Sequence, residues 1–455
     1  MRFRQFVTAM VVILSSARAA SAAAQRAPQE AARTPNVVLI MMDDLGYGDL
    51  GSYGARDVRT PHIDRLAREG VRLTDAYANG PVCTPTRAAL ITGRYQQRVG
   101  LEWVLGQGPG DAERGLPVTG TSLPALLKGN GYATALVGKW HLGFRREFSP
   151  QAHGFDEFVG FLAGAHDYYL GTVLQDTTAV LLTGYLTDEI TERALGFIER
   201  QASRPFFLEV AYNAVHWPFQ PPDRPPTDAE RGAPRPLRQW PDDSVAATRQ
   251  DYVKMLESAD EGVGKIVAAL EQRGLTRNTL VIFTNDNGGE WLSRNAPLFH
   301  RKGTLWEGGI RVPLILRWPG VLPAGRTSPQ VALTMDLTAS ILAATGTRPP
   351  DTYRPDGVDI LPMLRGEVPV LERTVFWKID RQGGGGRVAP SRQQRAVRSG
   401  RWKLLTDQGM TFLFDLATDP GERRDLAAQY PEKIRALQQL HIAWDSDVRA
   451  QPPNR

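Results

Sequence analysis

Cysteine is almost absent: Cys83 is the single one among 455 residues. No internal disulfide can form, so the fold has to draw its stability from the size of its core, which this length allows. Long apolar runs are missing as well. The stretch Phe6–Leu14 is too short to span a bilayer and no later segment is longer, which argues against a stable membrane anchor. The net charge is +5 and the isoelectric point near 9.3, yet lysines and arginines are scattered and no run of five occurs. That pattern argues against nucleic acid as a partner and leaves acidic small molecules or polyanionic polysaccharides compatible.

What is present begins with a leader. Arg2 and Arg4, the apolar run and the small residues around Ala20–Ala24 fit a secretory signal peptide over 1–24. The mature chain is then expected to start near Gln25 and to be exported, to the periplasm or the medium. With 42% hydrophobic and 23% charged residues, the remainder reads as one large globular domain plus a smaller one.

The segment Cys83–Arg94, C-T-P-T-R-A-A-L-I-T-G-R, carries the lone thiol. Thr84 suits an N-cap, Pro85 the first helical position, and Gly93 a left-handed C-terminal stop. Cys83 would then sit at the positive end of a helix, with the guanidinium of Arg87 one turn along, an arrangement suited to an oxyanion. A lone cysteine is also commonly a small buried hydrophobe, and both readings stand at this point.

Four short apolar runs elsewhere each end in polar residues. Asn36–Met41 is followed by Asp43 and Asp44; Tyr132–Val137 by Lys139 and His141; Pro205–Tyr212 by His216; Thr279–Thr284 by Asp286 and Asn287. Continuous apolar runs predict strands buried on both faces of a parallel sheet, and ligands of such sheets bind beyond the strands' carboxyl ends. Lys139 and His141 are two apart, so an extended segment would point both to one side. If the four strands are neighbours, three carboxylates and one amide oxygen converge on a site for a hard cation, calcium more readily than magnesium and zinc least. Helices are predicted from Thr60 to Gly70, over Ser122–Lys128, Leu186–Arg200 and Thr334–Thr345, and from the three-and-four spacing of Tyr252 to Leu270. The fold class is therefore α/β, a large mostly parallel sheet flanked by helices.

Composition changes after Leu364, which divides a domain over 35–364 from a smaller α+β domain over 365–455. The latter is expected to hold a strand at Thr374–Trp377, a flexible loop at Gly383–Gly386, an antiparallel pair from Arg395–Thr406 and Thr411–Leu416, and a helix over Pro431–Val448.

The whole pattern C-x-P-x-R followed by T-G-R resembles the signature of the type I sulfatases. P-N-V-V-L-I-M-M-D-D-L-G-Y-G-D, G-K-W-H-L-G, T-N-D-N-G and K-G-T-L-W-E-G-G-I-R-V-P follow the same family in the same order, closest to its arylsulfatase A and N-acetylgalactosamine-6-sulfatase types. The resemblance implies an alkaline phosphatase-like fold and hydrolysis of sulfate monoesters, on sulfated saccharides or small aryl sulfates. It implies oxidation of Cys83 to formylglycine by a formylglycine-generating enzyme, and calcium held by Asp43, Asp44, Asp286, Asn287 and an oxygen of the modified Cys83. Arg87, Lys139 and Lys302 would bind sulfate oxygens, His141 would act as a base, and His216 or Lys302 would protonate the leaving alcohol. Where some arylsulfatases carry a serine, this chain has Ala165, followed by His166 and Asp167, so that role is not carried over; His166 is a candidate substrate contact. A phosphodiesterase or phosphonate monoester hydrolase of the same superfamily is the nearest alternative reading, and a silent calcium-containing sugar-binding protein another. The segment Trp217–Asp243, with Trp217, Phe219, Trp240 and Arg224, Arg231, Arg235 and Arg238, reads as a wall for a sulfated carbohydrate.

Overall fold

The computed structural model describes residues 34–450 apart from 109, 228–246 and 382–391. The leader over 1–24, the Gly383–Gly386 loop, and Arg231, Arg235, Arg238 and Trp240 lie outside the described residues.

Strands run in the order β1 (Asn36–Met42), β2 (Val71–Leu73), β3 (Ala76–Tyr77), β4 (Ala133–Lys139), β5 (Glu157–Phe161), β6 (Thr172–Gln175), β7 (Thr178–Leu181) and β8 (Phe206–Ala211). After them come β9 (Thr279–Asn285), β10 (Leu314–Arg317), β11 (Arg326–Ser328), β12 (Ala332–Leu333), β13 (Thr374–Arg381), β14 (Arg392–Ser399), β15 (Trp402–Asp407) and β16 (Met410–Asp415). Among the described residues the α-helices are α1 (Pro61–Glu69), α2 (Cys83–Thr92), α3 (Leu123–Gly129), α4 (Leu186–Gln201), α5 (Arg249–Gln272), α6 (Glu307–Ile310), α7 (Thr334–Ala344), α8 (Leu361–Arg365) and α9 (Pro431–Ala450).

Ten strands form one sheet, ordered β11-β2-β10-β9-β1-β8-β4-β5-β6-β7. The four apolar runs that end in polar residues are indeed consecutive neighbours, and β9, β1, β8, β4 and β5 are all parallel. The edges are mixed: β10 runs antiparallel to β9 and β2, and the hairpin β6–β7 runs antiparallel to β5. Sequence periodicity missed β5 to β7, which are short and partly exposed.

The alternation along β1 explains the layers. Val38, Ile40 and Met42 join one core with α1, α4 and α5, while Val37, Leu39 and Met41 join the opposite core with α2, α3 and α7. Each fully buried aliphatic side chain here contributes roughly 1.5–3 kcal/mol. In the C-terminal part β13 to β16 form an antiparallel sheet covered by α9. Arg395–Thr406, expected as one strand, is a hairpin that turns at Gly400, whose φ of +57° favours glycine. Val375, Trp377, Leu405 and Phe414 of this sheet pack with Tyr77 of β3, Ala89 of α2, and Leu305 and Trp306 of the segment after Lys302.

One strand residue breaks the apolar rule. Glu209 lies in the middle of β8 opposite Leu39 and Leu136, is 4% exposed, and its Oε2 has no hydrogen-bond partner. Burial pushes its carboxyl up to about 7, with Arg87 pulling weakly the other way. The unfolded value is 4.5, so the contribution of this group to stability is full below that pH and is lost as the pH rises through about 7. Glu209→Gln should therefore raise the unfolding free energy by on the order of 3 kcal/mol at about pH 8 and by little near pH 4.5, as read from denaturant melts at the two pH values.

Candidate active site

Because β9, β1, β8 and β4 are neighbours, the residues just past their carboxyl ends share one place. Hydrogen bonds lock these exits together. Asp43 donates its N–H to Ala214 O at 3.0 Å and receives that of Val215 at 2.8 Å, while Asn285 binds Leu45 through both its amide oxygen and its nitrogen. Asp44 itself takes a left-handed conformation, with φ of +61°. Asp49 acts as the anchor of the D-D-L-G-Y-G-D turn: its carboxylate accepts from Gly46 N, Arg294 N, the Tyr252 hydroxyl and Arg249.

Opposite the strand ends stands the start of α2. The helix begins at Cys83, two residues earlier than its sequence suggested, and Thr84 is not its cap. Thr84 Oγ1 instead donates to His141 O at 3.0 Å and accepts from Leu105 N at 3.2 Å, tying the helix to the exit of β4. Gly93 does end it, at φ of +63° with its N–H on Ala89 O.

The charged groups pair closely. Lys139 Nζ lies 2.6 Å from Asp43 Oδ2, Lys302 Nζ 2.7 Å from Asp44 Oδ2, and Arg87 Nη2 2.8 Å from Asp286 Oδ2. Arg87 also donates to Lys139 O, and the Cys83 thiol lies 3.7 Å from Asp43 Oδ1. Each carboxylate thus has one cation, all of them buried except the partly accessible Lys302. Environment separates the three acids. Burial, then Asp286, drives the Asp43 carboxyl well above the usual range despite Lys139. Burial also opposes charge on Asp44 and Asp286, but Lys302 and His216 at Asp44, and Arg87 and Lys139 at Asp286, outweigh it and keep both low. Burial raises the Cys83 thiol far above its ordinary value, so as a plain thiol it is a poor nucleophile.

His141 and His216 are held neutral by their surroundings. Burial, then Lys139, holds His141 well below its ordinary value, and burial with Lys302 takes His216 down to about 3. His141 Nε2 faces Leu105 O at 3.0 Å while its Nδ1 is buried without a partner. The extended geometry expected for Lys139 and His141 does not hold, since β4 ends at Lys139 and His141 has φ of +57°. The groups still gather, because the backbone turns back over α2 through Thr84. His216 Nδ1 lies 2.6 Å from Trp217 O and its Nε2 3.6 Å from Asp44 Oδ2. His166 is not placed as expected: both ring nitrogens face carbonyls of its own loop, Asp167 O at 2.6 Å and Thr172 O at 3.0 Å, so it staples that loop.

The oxygen donors fit a hard cation. Single ligand atoms of Asp43, Asp44, Cys83 and His216 lie within 4.8 Å of one another. Asn287 donates Nδ2 to Asp44 Oδ1 at 2.7 Å, and its own Oδ1 is buried without a partner, as an amide oxygen awaiting a cation would be. Asp286 is not one of those four residues; it borders them, its Oδ1 accepting from Asp44 N at 3.4 Å and its Oδ2 paired with Arg87. Two contributors escaped the sequence reading. Asp49 stands five residues past Asp44 in the same motif and could have been found there, whereas Glu290, 3.5 Å from Lys302 Nζ, carried no pattern of its own.

A site of this kind can hold an oxyanion and polarise its ester bond, which is the work of a hydrolase of anionic esters. The sulfatase family model matches residues 35–347, and that of the N-sulphoglucosamine sulphohydrolase C-terminal part matches 297–444. N-acetylgalactosamine-6-sulfatase of Sus scrofa is 34% identical, over 90% of this chain and 85% of its own. Arylsulfatase A of Bos taurus is 32% identical, over 90% and 88%. Among solved structures, Ps i-CgsB in complex with k-i-k-neocarrahexaose superposes with a TM-score of 0.81 at 31% identity, covering 92% of this chain and 94% of that one. The phosphonate monoester hydrolase of Agrobacterium radiobacter shares the fold, with a TM-score of 0.65 at 22% identity over 91% and 96%. The chain belongs to the sulfatase family, and is thereby a sulfuric ester hydrolase.

If the donor set holds a divalent cation, adding calcium should raise the melting temperature by a few degrees and a chelator should reverse it. Asp44→Ala and Asp286→Ala should abolish that response in differential scanning calorimetry. An unchanged calcium response in both variants would remove these residues from the cation site.

Proposed function

We propose that the protein hydrolyses sulfate monoesters of carbohydrates, with formylglycine at position 83 as the nucleophile and calcium held by Asp43, Asp44, Asp286, Asn287 and the modified residue. The single observation that carries this reading is the pairing of three buried carboxylates with Arg87, Lys139 and Lys302 around Cys83. Each of the three carboxylates is met by one of the three cations. A divalent cation added to them leaves a net positive cavity, so an anionic ester is drawn in and held. When bound, the cation and the hydrated aldehyde supply an activated oxygen nucleophile that a buried thiol does not.

The chain's own groups have the remaining tasks. Arg87, Lys139 and Lys302 take the sulfate oxygens and stabilise charge as the S–O bond breaks. His141 is the base: a neutral ring whose Nε2–H points to Leu105 O presents an unpartnered lone pair at Nδ1. His216, with Nδ1 directed at Trp217 O and a low pKa, has no proton to give from Nε2. The proton for the leaving oxygen is therefore assigned to Lys302, and His216 to holding the substrate.

Carbohydrate as the leaving group is supported by the names of the relatives, one an N-acetylgalactosamine-6-sulfatase and one crystallised with k-i-k-neocarrahexaose. The wall expected from Trp217–Asp243 is described only to Thr227, where Trp217 is partly exposed, Phe219 is buried and Arg224 pairs with Asp251. Among the described residues no helix is long and apolar enough to cross a membrane. Export through the leader and maturation by a formylglycine-generating enzyme complete the proposal.

Lys302→Ala should lower kcat on an alkyl or saccharide sulfate about tenfold more than on an aryl sulfate with an acidic phenol, because only the poor leaving group needs the proton. Equal losses would return the donor role to His216. Side-by-side turnover of a sulfate and a phosphate ester of one phenol tests the reaction class. Faster phosphate turnover would overturn the sulfatase reading.

A further inference from the structure

Lys302 is held from a direction that its own motif does not reveal. Its N–H donates to Gly289 O at 3.1 Å, and that of Gly303 to Pro81 O at 2.8 Å, two residues before Cys83. Leu305, Trp306 and Glu307 are bound by the C-terminal sheet and the turn that follows it. Leu305 N donates to Gln394 Oε1 at 2.8 Å, Trp306 Nε1 to Asp407 Oδ2 at 3.1 Å, and Glu307 N to Glu422 Oε2 at 2.6 Å. Beneath them Lys403 Nζ stands 2.8 Å from both Glu307 Oε1 and Glu422 Oε1, while Glu307 Oε2 accepts from Tyr77 at 2.7 Å and Arg311 at 3.1 Å. Gln394, Lys403 and Glu307 have no solvent exposure.

Burying an ammonium with two carboxylates adds little net stability over a packed apolar cluster, because desolvation offsets the attraction. What such a set adds is direction. Apolar contacts tolerate sliding, whereas hydrogen bonds to successive groups of Leu305, Trp306 and Glu307 fix that backbone relative to the sheet. We infer that Gln394 and Lys403 are positioning residues for Lys302: the C-terminal sheet sets where the Lys302 ammonium stands over Asp44 and the ester. The inference rests on the proposed role of Lys302 in sulfate ester hydrolysis, and it gives β14 and β15 a part in catalysis though neither touches the substrate.

A double-mutant cycle on the full-length enzyme with an aryl sulfate tests it. Gln394→Ala and Lys403→Met should each lower kcat/KM about tenfold when Lys302 is present, and less than about twofold in the Lys302→Ala background. Equal losses in both backgrounds would overturn the inference, because a merely structural defect acts regardless of Lys302. Gln394→Ala removes one neutral acceptor and leaves no charge unpaired, so it serves if Lys403→Met does not fold. Amide hydrogen exchange gives a readout independent of turnover. Exchange at Gly303, Leu305 and Glu307 should rise in Gln394→Ala while that of the α2 amides stays unchanged, and no rise would equally overturn the inference. A wild-type enzyme inert toward every sulfate ester would instead defeat the functional proposal, and the exchange result would still decide the positioning.

Discussion

The structure depends on keeping three carboxylates buried side by side. Asp43, Asp44 and Asp286 repel one another and have lost their water, so each must be answered within hydrogen-bond distance, and Lys139, Lys302 and Arg87 do so. The partners come from three places: a strand end, a loop and the second turn of α2. The sheet order is what makes this possible, because it sets β9, β1, β8 and β4 next to one another. A cluster paired in this way would be made net positive by a divalent cation and would then favour an oxyanion beside it.

Much of the surrounding fold serves to hold that cluster rigid. Asp49 joins the acidic turn to α5 and to the segment at Arg294, Thr84 joins α2 to the exit of β4, and the C-terminal sheet grips the segment that follows Lys302. None of these ties is a ligand or a nucleophile. Each removes freedom from one, which is how a site keeps its groups within reach of a transition state without reorganising.

Asp43, Asp44, Lys139, Asp286, Cys83 and Arg87 could be picked out in the sequence because each sits directly past an apolar strand or in the C-x-P-x-R segment, whereas Lys302 lies in a loop and was singled out only by the resemblance of its K-G-T-L-W-E-G-G motif. Strand exits are short and leave little choice of position. Other features were not legible, for physical reasons. Thr84 has the chemistry of a cap, but it lies inside the helix, where its hydroxyl oxygen accepts from Leu105 N and its O–H donates to His141 O. His141 leaves the extended conformation, so alternation could not place it. Ser399-Gly400-Arg401 is a turn hidden within an alternating run. Lys403 looked like any strand lysine, and only its distance from Glu307, 96 positions earlier, shows that it is buried and paired.

The central claim is that position 83 does the chemistry as formylglycine and that the buried thiol does not. Mass spectrometry of the peptide carrying position 83, taken from preparations of different specific activity, tests this most directly. The account predicts an aldehyde at that position, in a fraction that rises in proportion to sulfate ester turnover. A fully active preparation in which Cys83 is wholly an unmodified thiol would contradict it.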